Sequence, residues 1–300
     1  MKKILALAFG AAMSFGAYAA PATQLPPGPI YLKFSGQEQI AINGATTWAG
    51  SNEINWGVFT VSTMERGSVN TPNDQIDPTG DIFFVNGLSG GQVTGMFYGI
   101  EQGEASPTNP FPATSGYMDL YWRDLSSMTK TTLDTINPGV RCGFDCATGF
   151  TEGTFLARLF FDTGMDVSNP NNTIVGTTVP SSNGFSGQAD SYASVDMSAG
   201  GLWADQLDSD WFSSWQGLRD LRFKNSYNAN TNWNGGENIL GARIDDPGQA
   251  YALPEPGALS LMGLAMVGMG AALRRRQKKV YASSCPRERP LRRPFFRLAT

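Results

Sequence analysis

The chain has 300 residues, 41% hydrophobic and 16% charged, and it contains no histidine. That absence excludes Ser-His-Asp and Cys-His catalysis, His-based zinc sites and the usual proton shuttle near neutral pH. Between Ala20 and Leu253, ten basic residues face 24 acidic ones, a balance of −14 against −4 for the whole chain; such a surface repels nucleic acid and anionic lipid and attracts cations.

In chain order, Lys2 and Lys3 precede the apolar stretch Ile4–Gly16, which leads into Ala17-Tyr18-Ala19. A positive start, a short apolar run and small residues at the −3 and −1 positions form the pattern of a secretory signal over residues 1–19, with Ala17 and Ala19 read by the signal peptidase. Residues 20–253 follow as a 234-residue body, long enough for one large β-domain or two small ones.

Within the body, Ile30–Ile42, Asn55–Met64, Asp81–Gly87, Gln92–Gln102, Gly116–Leu125, Thr154–Gly164 and Asp190–Met197 are rich in β-branched and aromatic residues and are separated by Gly, Pro, Asn and Ser. They predict strands. Strands at this spacing, with no long helix between them, predict an all-β fold, an antiparallel β-sandwich or jelly roll with a short helix, followed by a single C-terminal membrane helix. Asn169–Gly184 reads as a polar loop with room for one weak strand. If "GYMDLYW" is a strand, Met118, Leu120 and Trp122 face the core, while Tyr117, Asp119 and Tyr121 share the other face. That strip suits a sugar ring, the alternative being a solvent face with ordinary cross-strand tyrosine pairs.

Cys142 and Cys146 frame "CGFDC". In an oxidising compartment the pair predicts a small disulfide loop rather than free thiols, and no His or second Cys pair completes a metal site there. Further on, Trp211, Trp215 and Leu218 fall at helical spacing behind Asp208 or Asp210 as a cap, which predicts a short helix packed over an open end of the sandwich.

Chemistry by a carboxylate pair is the remaining route to hydrolysis, with Glu101, Asp119, Asp162 and Asp166 as candidates; any acidic β-protein holds such pairs, and the expectation is no enzyme. No cofactor is expected either. Asp162–Asp166, Asp208–Asp210 and Asp245–Asp246 offer oxygen ligands for Ca²⁺ without matching a known calcium loop.

The chain then changes character. Pro254-Glu255-Pro256 precedes the 16-residue apolar run Ala258–Leu273 and the basic cluster Arg274-Arg275-Arg276. As a helix that run extends about 24 Å, short of a roughly 30 Å hydrocarbon core unless the arginines snorkel. The basic end stays in the cytoplasm and the body outside. Leu253–Gly257 is similar to a sortase signal, but Pro256 stands where that motif needs Thr.

Residues 254–279, with the triplet, the Gly/Ala-rich helix and the Arg cluster in order, resemble the PEP-CTERM sorting domain. The resemblance implies recognition by an exosortase, cleavage near the triplet after transient anchoring in the inner membrane, and delivery to the surface or matrix of a Gram-negative bacterium, in the company of exopolysaccharide, biofilm or floc proteins. A plain uncut anchor is the alternative. Residues 280–300, including Cys285, form an atypical basic tail beyond the point where such domains usually end. The resulting expectation is an exported, non-enzymatic surface or matrix protein; a carbohydrate-binding module and a secreted glycan hydrolase are the alternatives.

Overall fold

A computed structural model describes residues 24–70, 74–133, 140–181, 184–255, 266, 267 and 269. The chain divides into two units, Met1–Pro254 and Glu255–Thr300. Of the second, Glu255, Met266, Val267 and Met269 are described, the last three helical and exposed. Ala17, Ala19, Pro256, Arg274–Arg276 and the tail lie outside the described residues, as does most of the expected membrane helix. Among the described residues, no helix is long and apolar enough to cross a membrane.

The first unit is antiparallel β-structure. Its strands among the described residues are β1 (Gly28–Ala41), β2 (Glu53–Asn70), β3 (Gln75–Val85), β4 (Gly91–Gln102), β5 (Ala113–Thr114), β6 (Tyr117–Asp124), β7 (Arg141–Gly143), β8 (Cys146–Ala147), β9 (Thr154–Asp162), β10 (Ile174–Ser181), β11 (Gly184–Val195), β12 (Phe212–Ser214), β13 (Gly217–Arg219), β14 (Leu221–Ala229) and β15 (Ile239–Ala252), with a short α-helix, α1 (Ala204–Leu207), and a 3-10 turn at Thr231–Trp233. Eleven strands form one sheet, and β7–β8 and β12–β13 are separate hairpins.

The large sheet closes on itself. Neighbours run β1-β2-β4-β6-β9-β11-β14-β15, and β15 returns to β1 from Gly28↔Ala252 to Ala41↔Ile239. The seam between β2 and β4 is made at Gly57↔Phe97 and Val58↔Met96. Beyond the ends of β6 and β9, β5 and β10 take their places in the wall, through Glu101↔Thr114, Ile174↔Ala113 and Ile174↔Ser191. The expected sandwich or jelly roll is thereby corrected to a barrel: the facing walls are one sheet, hydrogen-bonded all the way round, with β3, paired to β2 alone, as its edge strand.

Alternation along each strand decides what fills the barrel. Phe34, Phe59, Phe161 and Phe223 form a linked aromatic layer across the interior, with ring centroids 5.7–6.4 Å apart. Two glycines make room for such rings: a Cβ on Gly95 would lie 2.3 Å from Phe59, and one on Gly57 would lie 2.4 Å from Phe97. One end is sealed by Leu25, Trp203 and Leu207, all buried. There Gln206 donates its amide to the Leu25 carbonyl and accepts the Leu25 N–H. A second apolar layer lies outside the barrel, where Trp56, Val58, Met96 and Tyr98 of β2 and β4 pack under Ala147, Phe150 and Trp233.

Two local expectations differ from the structure. The Trp211–Leu218 segment is the β12–β13 hairpin, not a helix: Asp210 has φ 50° and Gly217 φ 123°, both outside helical space. Trp215 and Leu218 are accordingly exposed rather than core. Asn169–Gly184 contains a full strand, β10. Strands β14 and β15 lie outside the runs that predict strands; the ladder to β14 lapses at residues 246 and 247, where Pro247 has no N–H to donate.

Candidate functional site

The β6 strip alternates as the sequence implies, with Met118, Leu120 and Trp122 buried inward and Tyr117, Asp119 and Tyr121 facing out. Asp119, however, is 0% exposed, which corrects the open aromatic–acid–aromatic surface. Arg158 on β9 donates Nε to Oδ1 at 2.7 Å and Nη2 to Oδ2 at 2.8 Å, and the Tyr98 hydroxyl donates to Oδ2 at 3.3 Å. The guanidinium lies 6.0 Å from the Tyr98 ring and 5.7 Å from the Tyr117 ring. A carboxylate among aromatic rings stays charged only when paired in this way. Hydrogen bonding to Asp119 raises the Arg158 pKa, and burial, with the Asp119 charge adding, pushes the Tyr98 hydroxyl well up. Asp119 is committed to this pair. Tyr117 is exposed, and Tyr121 is half-buried against Phe155 at 5.4 Å.

Cys142 and Cys146 are joined, with their Cα atoms 5.0 Å apart. The hairpin they close, β7–β8, carries Arg141 into the outer layer, where its guanidinium meets Glu53 at 2.6 and 3.1 Å and lies 4.6 Å from the rings of both Trp48 and Trp56. The disulfide therefore pins a structural latch.

Asp162, Asp166 and Asp245 are also engaged. Asp162 pairs with Arg219 at 3.1 Å and accepts from Ser194. Asp166 accepts from Asn109, Asn172 and the N–H groups of Ser168 and Asn169; burial pushes its pKa up, but these hydrogen bonds outweigh that and hold it below the ordinary value. Asp245 pairs with Arg243, and the N–H groups of Ser209 and Asp210 are donated to Asp220. Glu101 is half-buried on β4, across the barrel seam from Glu53. Among the described residues, no group of three or more His, Cys, Asp or Glu could hold a metal ion.

The feature that sequence reasoning missed lies inside the barrel. Above the aromatic layer, at the end walled by β5 and β10, is a cavity of about 420 Å³. Its floor is Phe34, Phe97, Met118 and Phe161, all buried, and its rim includes Ile42, Asn43 and Phe111, which are exposed. The cavity thus opens at the end opposite α1. Its lining is mainly aliphatic and aromatic, the composition and size usual for a small-molecule site.

A few polar groups break the apolar lining. Glu38 of β1 is 5% exposed, and its Oε2 accepts from Asn55 Nδ2 at 2.9 Å. Burial, only partly offset by that hydrogen bond, raises its pKa to about 7. Among the described lining residues it is the one carboxyl, and none is Lys or Arg. Asn55 Oδ1 and Asn225 Oδ1 are both buried with no donor reaching them. On the opposite wall the Tyr227 hydroxyl donates to the Thr177 carbonyl at 2.7 Å and meets the Thr178 hydroxyl. One sequence signal could have found the site: the even-numbered row along β1 and just past its end, Ile30, Leu32, Phe34, Ile40 and Ile42, is apolar except for Gly36 and Glu38.

No protein-family model matches the sequence, and no curated protein does. Among solved structures, one similar chain is Ail, the attachment invasion locus protein of Yersinia pestis, in complex with the heparin analogue sucrose octasulfate. It is 8% identical, with 76% of this chain and 100% of that one covered, at a TM-score of 0.13. A likeness at that level carries no argument about fold or ligand.

Proposed function

We propose that the chain is an exported, non-enzymatic binding protein of the bacterial surface or extracellular matrix, delivered through its PEP-CTERM-like end, whose barrel holds a small apolar ligand. The observation that carries the binding role is the cavity of about 420 Å³, apolar in lining, closed below by an aromatic layer and open at one end. Pre-formed, concave and apolar space with a few placed polar groups is what small-molecule recognition requires. A barrel packed for stability alone fills that volume with side chains.

Delivery rests on the sequence: the order of Pro254-Glu255-Pro256, apolar run and Arg274–Arg276 supports processing by an exosortase-like enzyme and residence among exopolysaccharide. Carboxylate-pair hydrolysis is the weaker reading, because Asp119, Asp162 and Asp166 are each held in ion pairs or hydrogen bonds that a reacting group would have to give up. Carbohydrate binding on the β6 strip is weaker for the same reason.

Native mass spectrometry of the protein recovered from its own matrix tests the binding role, the expected result being a non-covalent adduct lost on unfolding. Turnover on a glycan panel, with no adduct, would overturn the reading in favour of an enzyme.

A further inference from the structure

Resting on that reading of the barrel, we propose that the cavity selects an apolar molecule with a hydrogen-bond-donating, positively charged head, an aliphatic amine in chemical class, anchored by Glu38 and Asn55. The argument starts from the polar atoms that the fold leaves without donors. Asn55 spends its amide nitrogen on Glu38, which fixes the orientation of the side chain and leaves Oδ1 as a buried acceptor. Asn225 supplies a second such acceptor on the same lining. A buried acceptor left unmade costs free energy, so a native protein that keeps two of them on the lining that carries a carboxyl has placed them for something that donates.

An ammonium group brings three donors and accepts nothing. It matches a carboxylate with amide oxygens on the same lining, and forms a charge-assisted hydrogen bond in a place shielded from water. A carboxylate head meets the opposite situation: acceptors facing an acceptor, a like charge at Glu38, and no Lys or Arg among the described lining residues. An alcohol satisfies one acceptor and neutralises no charge. The rest of the ligand is apolar because the rest of the wall is, with Phe97, Ile100, Met118, Phe161 and Ile174 surrounding the volume. The acidic body also attracts cations in general.

The test is isothermal titration calorimetry of the purified full chain at pH 8 with decylamine, decanol and decanoate, each below its micelle concentration. The expected ranking is amine first and decanoate last, with roughly tenfold or more between them, and Glu38→Gln is expected to weaken the amine by about tenfold while leaving decanol within about threefold. Ala189→Trp, which fills the cavity from β11, should remove binding of all three with the thermal midpoint retained. The ranking on the unaltered chain needs no variant and stands if one fails to fold. Equal binding of the three probes, or a preference for decanoate, overturns the head-group selection and leaves a cavity that binds apolar molecules. No binding of any probe overturns both readings, and amine binding that survives Ala189→Trp places the amine elsewhere and overturns this one.

Discussion

Replacing Arg141 by Ala should be among the most damaging single changes to this body. The Glu53 side chain is fully buried and that of Arg141 only 6% exposed, and they meet through two hydrogen bonds of 2.6 and 3.1 Å. Removing one member of a buried pair leaves an uncompensated charge and costs about 3–5 kcal/mol. Glu53 would keep the Gly99 N–H at 2.6 Å and the Thr47 hydroxyl, which favours the lower end of that range. Loss of the stacking on Trp48 and Trp56, about 0.5–2 kcal/mol, moves it back up. A net loss of about 4 kcal/mol lowers the melting midpoint of a body this size by roughly 8–16 °C. Thermal melts followed by far-ultraviolet circular dichroism measure it directly. The double variant Glu53→Gln with Arg141→Met removes both charges and should recover more than half of the loss. A single variant that melts within about 2 °C of the parent, or a double variant no better than the single, refutes the reasoning.

Three further outcomes follow from the same structure and sequence. Glu38, raised from 4.5 to about 7, keeps its proton over a range where the unfolded chain has lost it; its contribution to stability is full below about pH 4.5 and falls by about 3 kcal/mol as pH rises through 7. Chemical denaturation at pH 5 and pH 8 should show that difference in the parent relative to Glu38→Gln, and equal pH slopes in the two proteins would remove the buried-acid assignment. Opening the Cys142–Cys146 loop by a double Ser substitution should cost about 2 kcal/mol, read as an earlier melt with the barrel's strand signal retained below it; an unchanged melt would mean that the latch holds without the bond. Replacing Pro254-Glu255-Pro256 by three alanines should leave export intact but retain a larger, membrane-bound species that still carries Arg274–Arg276. Intact-mass analysis of membrane and released fractions decides this, and parent and variant of equal size would instead indicate a plain anchor.

The longer early strands of the large sheet were legible because period-two alternation is a local property. β1, β2, β4, β6 and β9 announce themselves by β-branched and aromatic residues between turn signals, and the inward set Met118, Leu120 and Trp122 follows from parity alone. Parity also placed Asp119 on the outer face, but it does not say whether a second layer covers that face. Here Arg158 and the rings of Tyr98 and Tyr117 do, and an apparently open acid became a sealed ion pair. The Trp211–Leu218 spacing misled for a related reason: three apolar residues at helical intervals fit a helix, yet backbone dihedrals at Asp210 and Gly217 forbid it.

By itself, the sequence determined the antiparallel β-character of the body, its acidity, the pairing chemistry open to Cys142 and Cys146, and the expectation of export and sorting, since each depends on composition or on residues near one another in the chain. Closure of the sheet was decided only in three dimensions, by the meeting of β2 with β4 and of β15 with β1, at separations no local pattern encodes. The cavity is a consequence of that closure. Glu38 and Asn55 lie on consecutive strands and Asn225 far along the chain on β14, and they share one volume because the barrel is wide enough to leave space above its aromatic layer.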